Sequence, residues 1–198
     1  VRSAELCASR GEAALVDPMR ALLLDKELKL RIPAGELLVL RRRATSALAT
    51  LAAQSTVRFL VDLLKDEDPG LREQAARGLA NACRRGDEGH LLDALGHADV
   101  AVRSWAADGL SRLGDARALP VLVGNLRNPH PPIRTGAVLS FAALGPEGYS
   151  GMLQGLEDPS IDVQEIVLLV VLARDLRAAR RGESPDLLAA ALSAAVQT

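Results

Sequence analysis

Aromatic side chains are nearly absent from this 198-residue chain, which has one Trp, one Tyr and two Phe, 2% of the total. With 48% of residues hydrophobic, a core is affordable, but Ala, Leu and Val must build it, a mix that favours close helix-on-helix packing. The two cysteines, Cys7 and Cys83, exclude a disulfide framework and sit in no Cys-x-x-Cys spacing. That fits a reducing compartment and a cytoplasmic location, as it would an exported protein without disulfides. A net charge of −1 lacks the basic excess that nonspecific nucleic-acid binding needs. No run approaches the ~18 apolar residues of a membrane span, and the longest, Ile166 to Ala173, reads as one helix buried on all sides. The chain opens Val1-Arg2-Ser3 with neither an initiator Met nor a signal-peptide pattern, so a fragment of a longer protein is expected.

One eight-residue turn recurs four times: Lys65-Asp-Glu-Asp-Pro-Gly-Leu-Arg72, Gly96-His-Ala-Asp-Val-Ala-Val-Arg103, Arg127-Asn-Pro-His-Pro-Pro-Ile-Arg134 and Glu157-Asp-Pro-Ser-Ile-Asp-Val-Gln164. The starts at 65, 96, 127 and 157 are 31, 31 and 30 residues apart, a period that marks a stacked repeat array. One further step back reaches Leu40-Arg41, a degenerate earlier copy. After each turn, apolar residues fall at helical spacing, as in Leu71, Ala75, Leu79, Ala82 and in Val102, Ala106, Leu110, Leu113. Gly78 and Gly109 hold one repeat position inside these helices. Glycine there costs ~1 kcal/mol relative to Ala, so a neighbouring helix is expected to come too close for a side chain. Gly86, Gly114 and Gly145 then end the first helix of each unit, and a second helix follows, carrying leucine pairs such as Leu91 and Leu95. Strand patterns are missing.

The stretch Arg103-Ser-Trp-Ala-Ala-Asp-Gly-Leu-Ser-Arg-Leu-Gly-Asp-Ala-Arg-Ala-Leu-Pro-Val-Leu122 resembles the HEAT-like repeats first associated with phycobilin lyases. The resemblance runs from about Leu37 to Ala173. It implies an all-α fold, a right-handed α-α superhelix with the second helix of each unit lining the concave side. The expected organisation is an N-terminal helical cap at 1–36, the repeat array at 37–173, and a basic linker and C-terminal helix at 174–198. Within the cap, Leu15 to Leu30 reads as a helix pair interrupted by Pro18 and Pro33. The tail helix Pro185 to Val196 has no partner second helix, which leaves an apolar edge for a continuing chain, a partner or self-association. The basic stretch Arg174 to Arg181 reads as a solvated helix end.

Arg41, Arg72, Arg103 and Arg134 share one repeat position in the first turn of a helix, where a cation meets the positive end of the dipole. Asp68 and Asp99 stand four residues ahead of two of them as compensating charges. The expectation is a structural ladder between adjacent turns, in preference to a row of anion-binding arginines. The ladder is expected to degrade where Gln164 replaces Arg and Ser160 replaces Asp. A concave, mixed-charge stripe for a protein or peptide partner is assigned to Glu73, Arg77, Ser104, Trp105, Asp108, Arg112, Thr135 and Leu139, with Arg84 facing out beside them. Trp105 stands where Gln74 and Gly136 sit in the flanking repeats, and reads either as an interface anchor or as filling the gap at Gly136.

His90, His97 and His130 occupy unrelated repeat positions, and no His-Glu dipeptide of the HEAT-like iron hydroxylases occurs. With no nucleophile–base pair, Gly-rich phosphate loop or metal cluster, neither a catalytic residue nor a cofactor is assigned. The expected function is a scaffold binding a protein segment. The alternatives are a subunit of a bilin lyase-type enzyme, which the resemblance permits, and a HEAT-like DNA glycosylase resting on Trp105 and Asp108.

Overall fold

The computed structural model describes residues 31–51 and 54–182, with positions 19, 23, 184, 186–189 and 193 besides. The expected helix pair at 15–30, Cys7 and most of the tail helix at 185–196 lie outside the described residues. Among the described residues the elements are helical throughout, without a strand. In chain order they are α1 Ala34–Leu51, α2 Gln54–Leu63, α3 Pro69–Ala82, α4 Glu88–Leu95 and α5 Val100–Leu113. After them come α6 Leu119–Asn125, α7 Pro131–Leu144, α8 Tyr149–Leu153 and α9 Ile161–Arg180, with short 3₁₀ turns leading into α6 and α8. The odd-numbered helices are the first helices of the repeat units. Two compact units divide the chain inside α5, Val1–Gly109 and Leu110–Thr198.

In the first unit α1 and α2 pack against α3. Leu48, Phe59, Leu60, Leu71, Ala75 and Leu79 are buried almost completely, and all but Phe59 stand at the repeated apolar positions of first and second helices. Helix α3 starts because Asp68, in extended conformation, accepts a hydrogen bond from Leu71 N–H, and Pro69 has its φ already set for the first helical position. Close approach explains the buried glycines. A Cβ added at Gly78 would lie 2.6 Å from Ala49 Cβ and 2.8 Å from Ala49 Cα, and one at Gly109 would lie 3.0 Å from Ala80 Cα.

In the second unit α7 packs against α6, α8 and α9. Leu122, Val138, Phe141, Met152, Val163, Val167 and Val171 form its core. Phe141 fills the space over Gly148 and Gly151, where any Cβ would collide with it. Between α7 and the next turn, Gly145 adopts φ 83°, ψ −145°, a conformation that only glycine takes without strain, which stops the helix.

Helix α9 departs from the sequence expectation twice. It is not buried on all sides: Leu168, Leu169 and Leu172 are exposed, while Val163, Val167, Val171, Asp175 and Ala178 form its buried face. It also runs unbroken through residue 173, so Arg174, Arg177 and Arg180 stand in its last turns, the helix end that the basic stretch reads as, and not in the linker expected from residue 174. Among the described residues, no helix is long and apolar enough to cross a membrane.

Candidate interaction surfaces

The recurrent turn is held by side chains at three of its positions. At the second, Asp66, His97, Asn128 and Asp158 each accept the N–H of the residue two further on, through Oδ1 in three turns and through Nδ1 of His97 in the other. Asp, Asn and His are interchangeable here because each offers an acceptor at similar reach. The eighth-position side chain folds back over the turn. Arg72 Nη1 donates to the carbonyls of Asp66 and Glu67, Arg103 Nη1 to those of His97 and Ala98, and Arg134 Nη1 to those of Asn128 and Pro129. Gln164 Nε2 does the same to Asp158 O, at 2.7 Å. An arginine thus tolerates the first turn because its charge is spent on carbonyls outside the helix.

The remaining guanidinium edge reaches an aspartate of the following repeat. Arg72 bonds Asp99 through Nε at 3.0 Å and Nη2 at 2.7 Å, and Arg41 bonds Asp66. Asp68 is taken by Arg42, at 2.9 and 2.7 Å. The aspartates four residues ahead therefore serve the preceding repeat and not their own arginine. In the second unit Arg134 grips Asp158 through both Nε and Nη2, at 2.6 and 3.0 Å, with both residues buried. The expected decay at Ser160 is corrected: the carboxylate stands two positions earlier. Arg103 makes its carbonyl bonds without an ion pair among the described residues.

These contacts set the protonation of the aspartates. Burial alone would push the Asp158 carboxyl up, but the Arg134 guanidinium and the Ser160 N–H more than reverse this and hold it below the ordinary carboxylate value. Asp99 is held low in the same way by Arg72 and Ala101 N–H against its burial. Burial pushes the Cys83 thiol up to about 11, so it stays protonated and unreactive at neutral pH.

The eight residues assigned to partner binding lie on the first helices α3, α5 and α7, divided between the two units. In the first unit Glu73 and Arg77 are exposed on α3, and Ser104, Trp105 and Asp108 are half-buried on α5. The Ser104 hydroxyl is already used, donating to Val100 O at 2.8 Å. Arg84 does not face out freely, since its Nη1 donates to the carbonyls of Asn81, Ala82 and Cys83 at the end of α3. In the second unit Arg112 and Leu139 are exposed and Thr135 is half-buried, and a Cβ at Gly136 would meet open space. The resemblance assigns the concave side to the second helices α2, α4, α6 and α8, so the assigned residues belong to the other helix of each pair.

One surface that the sequence reading assigned only through Leu139 is a groove of about 450 Å³ in the second unit, walled by α7 and α9. Leu139, Ala142, Ile166, Leu169 and Val170 give it apolar walls, and Arg174 and Arg177 close one end. Arg174 is fixed by Asp175 Oδ1 at 2.6 Å and lies over the Tyr149 ring, 5.2 Å from its centroid. Asp175, buried on α9, also accepts Leu188 N–H at 2.6 Å, which ties residues 186–189 to the helix. Among the described residues, no three His, Cys, Asp or Glu side chains come together as a metal site would require.

Comparison with known proteins agrees with the architecture. Residues 88–142 match the family profile described as HEAT repeats, and residues 49–84 the armadillo/beta-catenin-like repeat. The solved complex of CpcE and CpcF of phycocyanin lyase from Nostoc sp. PCC7120 is similar in fold, with a TM-score of 0.59 at 22% identity over 90% of this chain and 73% of that one. No curated protein matches the chain. Turns, helix pairs and profiles agree that the described residues form an all-helical α-solenoid fold that carries HEAT and armadillo repeats.

Proposed function

We propose that this chain is a protein-interaction scaffold that presents side chains on rigid first helices to a segment of another protein. The observation that carries the reading is the contrast between frame and surface. Turns and buried faces are fixed by paired guanidinium–carboxylate bonds and close packing, whereas Glu73, Arg77, Arg112 and Leu139 stand exposed on that frame. A preorganised surface loses little entropy on binding, so the ordering cost falls on the partner, and mixed charges select its register. Trp105, Asp108, Ser104 and Thr135 complete the proposed contact set, with Trp105 as the aromatic anchor. The similar solved structure is itself a complex of two subunits, which supports a protein as the partner.

A paired pull-down from native extract tests this, with the wild-type chain and a Glu73→Lys, Arg77→Glu, Asp108→Lys variant as baits. Circular dichroism confirms that both are helical. One protein enriched by the first bait and lost by the second is the expected result; equal retention by both places binding on another surface. The likeness to a phycocyanin lyase complex supports a second reading, a bilin lyase-type subunit. Mixing with a linear tetrapyrrole distinguishes them, because a scaffold leaves the pigment absorbance unchanged.

A further inference from the structure

Helix α9 carries an apolar stripe on the side away from its core. Ile161, Leu168, Leu172 and Leu176 are 69%, 44%, 45% and 54% exposed. Their spacings of seven, four and four residues put them on one face. Scattered single leucines are ordinary on a protein surface, but Leu168, Leu172 and Leu176 at successive turns of one helix, with Ile161 beyond Glu165, make a contact face. Asp162 in the first turn and Arg180 in the last flank this stripe; both are exposed and neither has a partner among the described residues. They are 18 residues apart, about five full turns at 3.6 residues per turn, so both lie on the same flank of the helix.

We propose that a second copy of this chain docks on α9, with the two helices antiparallel about a two-fold axis. In an antiparallel pair each flank lies against the same flank of the other helix. Asp162 of either copy then meets Arg180 of the other, so two ion pairs form by symmetry. Leu168 and Leu172 of one copy cross Leu172 and Leu168 of the other at the centre. Glu165, on the stripe between Ile161 and Leu168, faces the arginine-bearing end of the second copy, and a polar residue at such a site fixes orientation. An unrelated apolar helix would leave Asp162 and Arg180 unmatched. Residues 190–198 contain no acidic side chain, so that segment offers Arg180 no carboxylate side chain. This association is independent of the partner binding proposed for α3, α5 and α7.

Sedimentation equilibrium over a wide concentration range tests the proposal on the chain itself. The expected result is a rise toward twice the monomer mass, which Leu172→Asp or Leu168→Asp abolishes while far-UV circular dichroism is retained. Arg180→Asp weakens the dimer about tenfold, a change of about 1.4 kcal/mol, and adding Asp162→Arg restores it by inverting both ion pairs. A chain that stays monomeric overturns the proposal. So does a dimer indifferent to Leu172→Asp and Leu168→Asp, or a double variant no tighter than Arg180→Asp alone.

Discussion

Replacing glycine by alanine inside a helix normally stabilises it by about 1 kcal/mol. Three glycines inside first helices should give three different outcomes here. Gly136 lies in the middle of α7 with nothing within 4 Å of an added Cβ, so Gly136→Ala should gain the full ~1 kcal/mol. At Gly78 the new methyl would stand 2.6 Å from Ala49 Cβ and 2.8 Å from Ala49 Cα, and the second of these is backbone that cannot rotate away. Carbon atoms rest about 3.5–4.0 Å apart, so α1 and α3 would have to separate by about 1 Å. Overpacking of this kind costs roughly 1–3 kcal/mol, which outweighs the propensity gain and leaves Gly78→Ala destabilising by about 1–2 kcal/mol. Gly109, with Ala80 Cα at 3.0 Å and Ala80 Cβ at 3.1 Å, falls between them, and Gly109→Ala should be close to neutral. Thermal unfolding followed by circular dichroism reads the order directly, at about 2–4 °C per kcal/mol for a chain of this size. If Gly78→Ala raised the melting temperature as much as Gly136→Ala, the close approach of α1 and α3 would be refuted.

The paired aspartates make stability depend on pH. Asp68, Asp99, Asp158 and Asp175 all bind protons less readily folded than unfolded, so their contribution is complete at neutral pH and is lost as pH falls below the unfolded value of about 4. Acid titration should show a loss below that point, less steep in Asp158→Asn, and a slope equal to wild type there would contradict the Arg134–Asp158 geometry. Thr45 is fully buried and its hydroxyl has no partner among the described residues, so Thr45→Val should stabilise by about 1 kcal/mol in urea unfolding. His97 serves its turn through Nδ1, so His97→Asn should retain stability whereas His97→Ala loses about 1 kcal/mol, the worth of one hydrogen bond. Equal losses in the two would show that the ring, and not the acceptor, matters.

The repeat register, the helix pairs, the glycine stops at Gly114 and Gly145 and the close approach at Gly78 were legible in the sequence, because each depends on local conformation or on one repeated position. Gly86 is not such a stop, since α3 already ends at Ala82 with Cys83 as its cap. What crosses between repeats was less so. Arg134 finds Asp158 and not a residue at the Asp99 position, because a long guanidinium can reach either of two turn sites, and the sequence offset does not say which. The second turn position varies as Asp, His, Asn and Asp, and its shared role as acceptor of an N–H two residues on is visible only in the structure. Asp175 read as one more charge of a basic stretch, yet it is buried because it binds both Arg174 and Leu188 N–H. The exposed face of α9 was misread because an all-apolar run carries no sign of which side meets the core. For the interaction surface, exposure was legible residue by residue, but which helix of each pair faces a partner is a property of the whole array.

Site-specific photocrosslinking in native extract tests the scaffold reading most directly. A photoactivatable side chain is placed in turn at Arg77, Arg112 and Leu139 on first helices, and at His90, Asp93 and Val123, which are exposed on second helices. Crosslinks to one protein from the first set, with none from the second, are the predicted result. Crosslinks confined to His90, Asp93 and Val123 would contradict it and move the binding surface to the second helices.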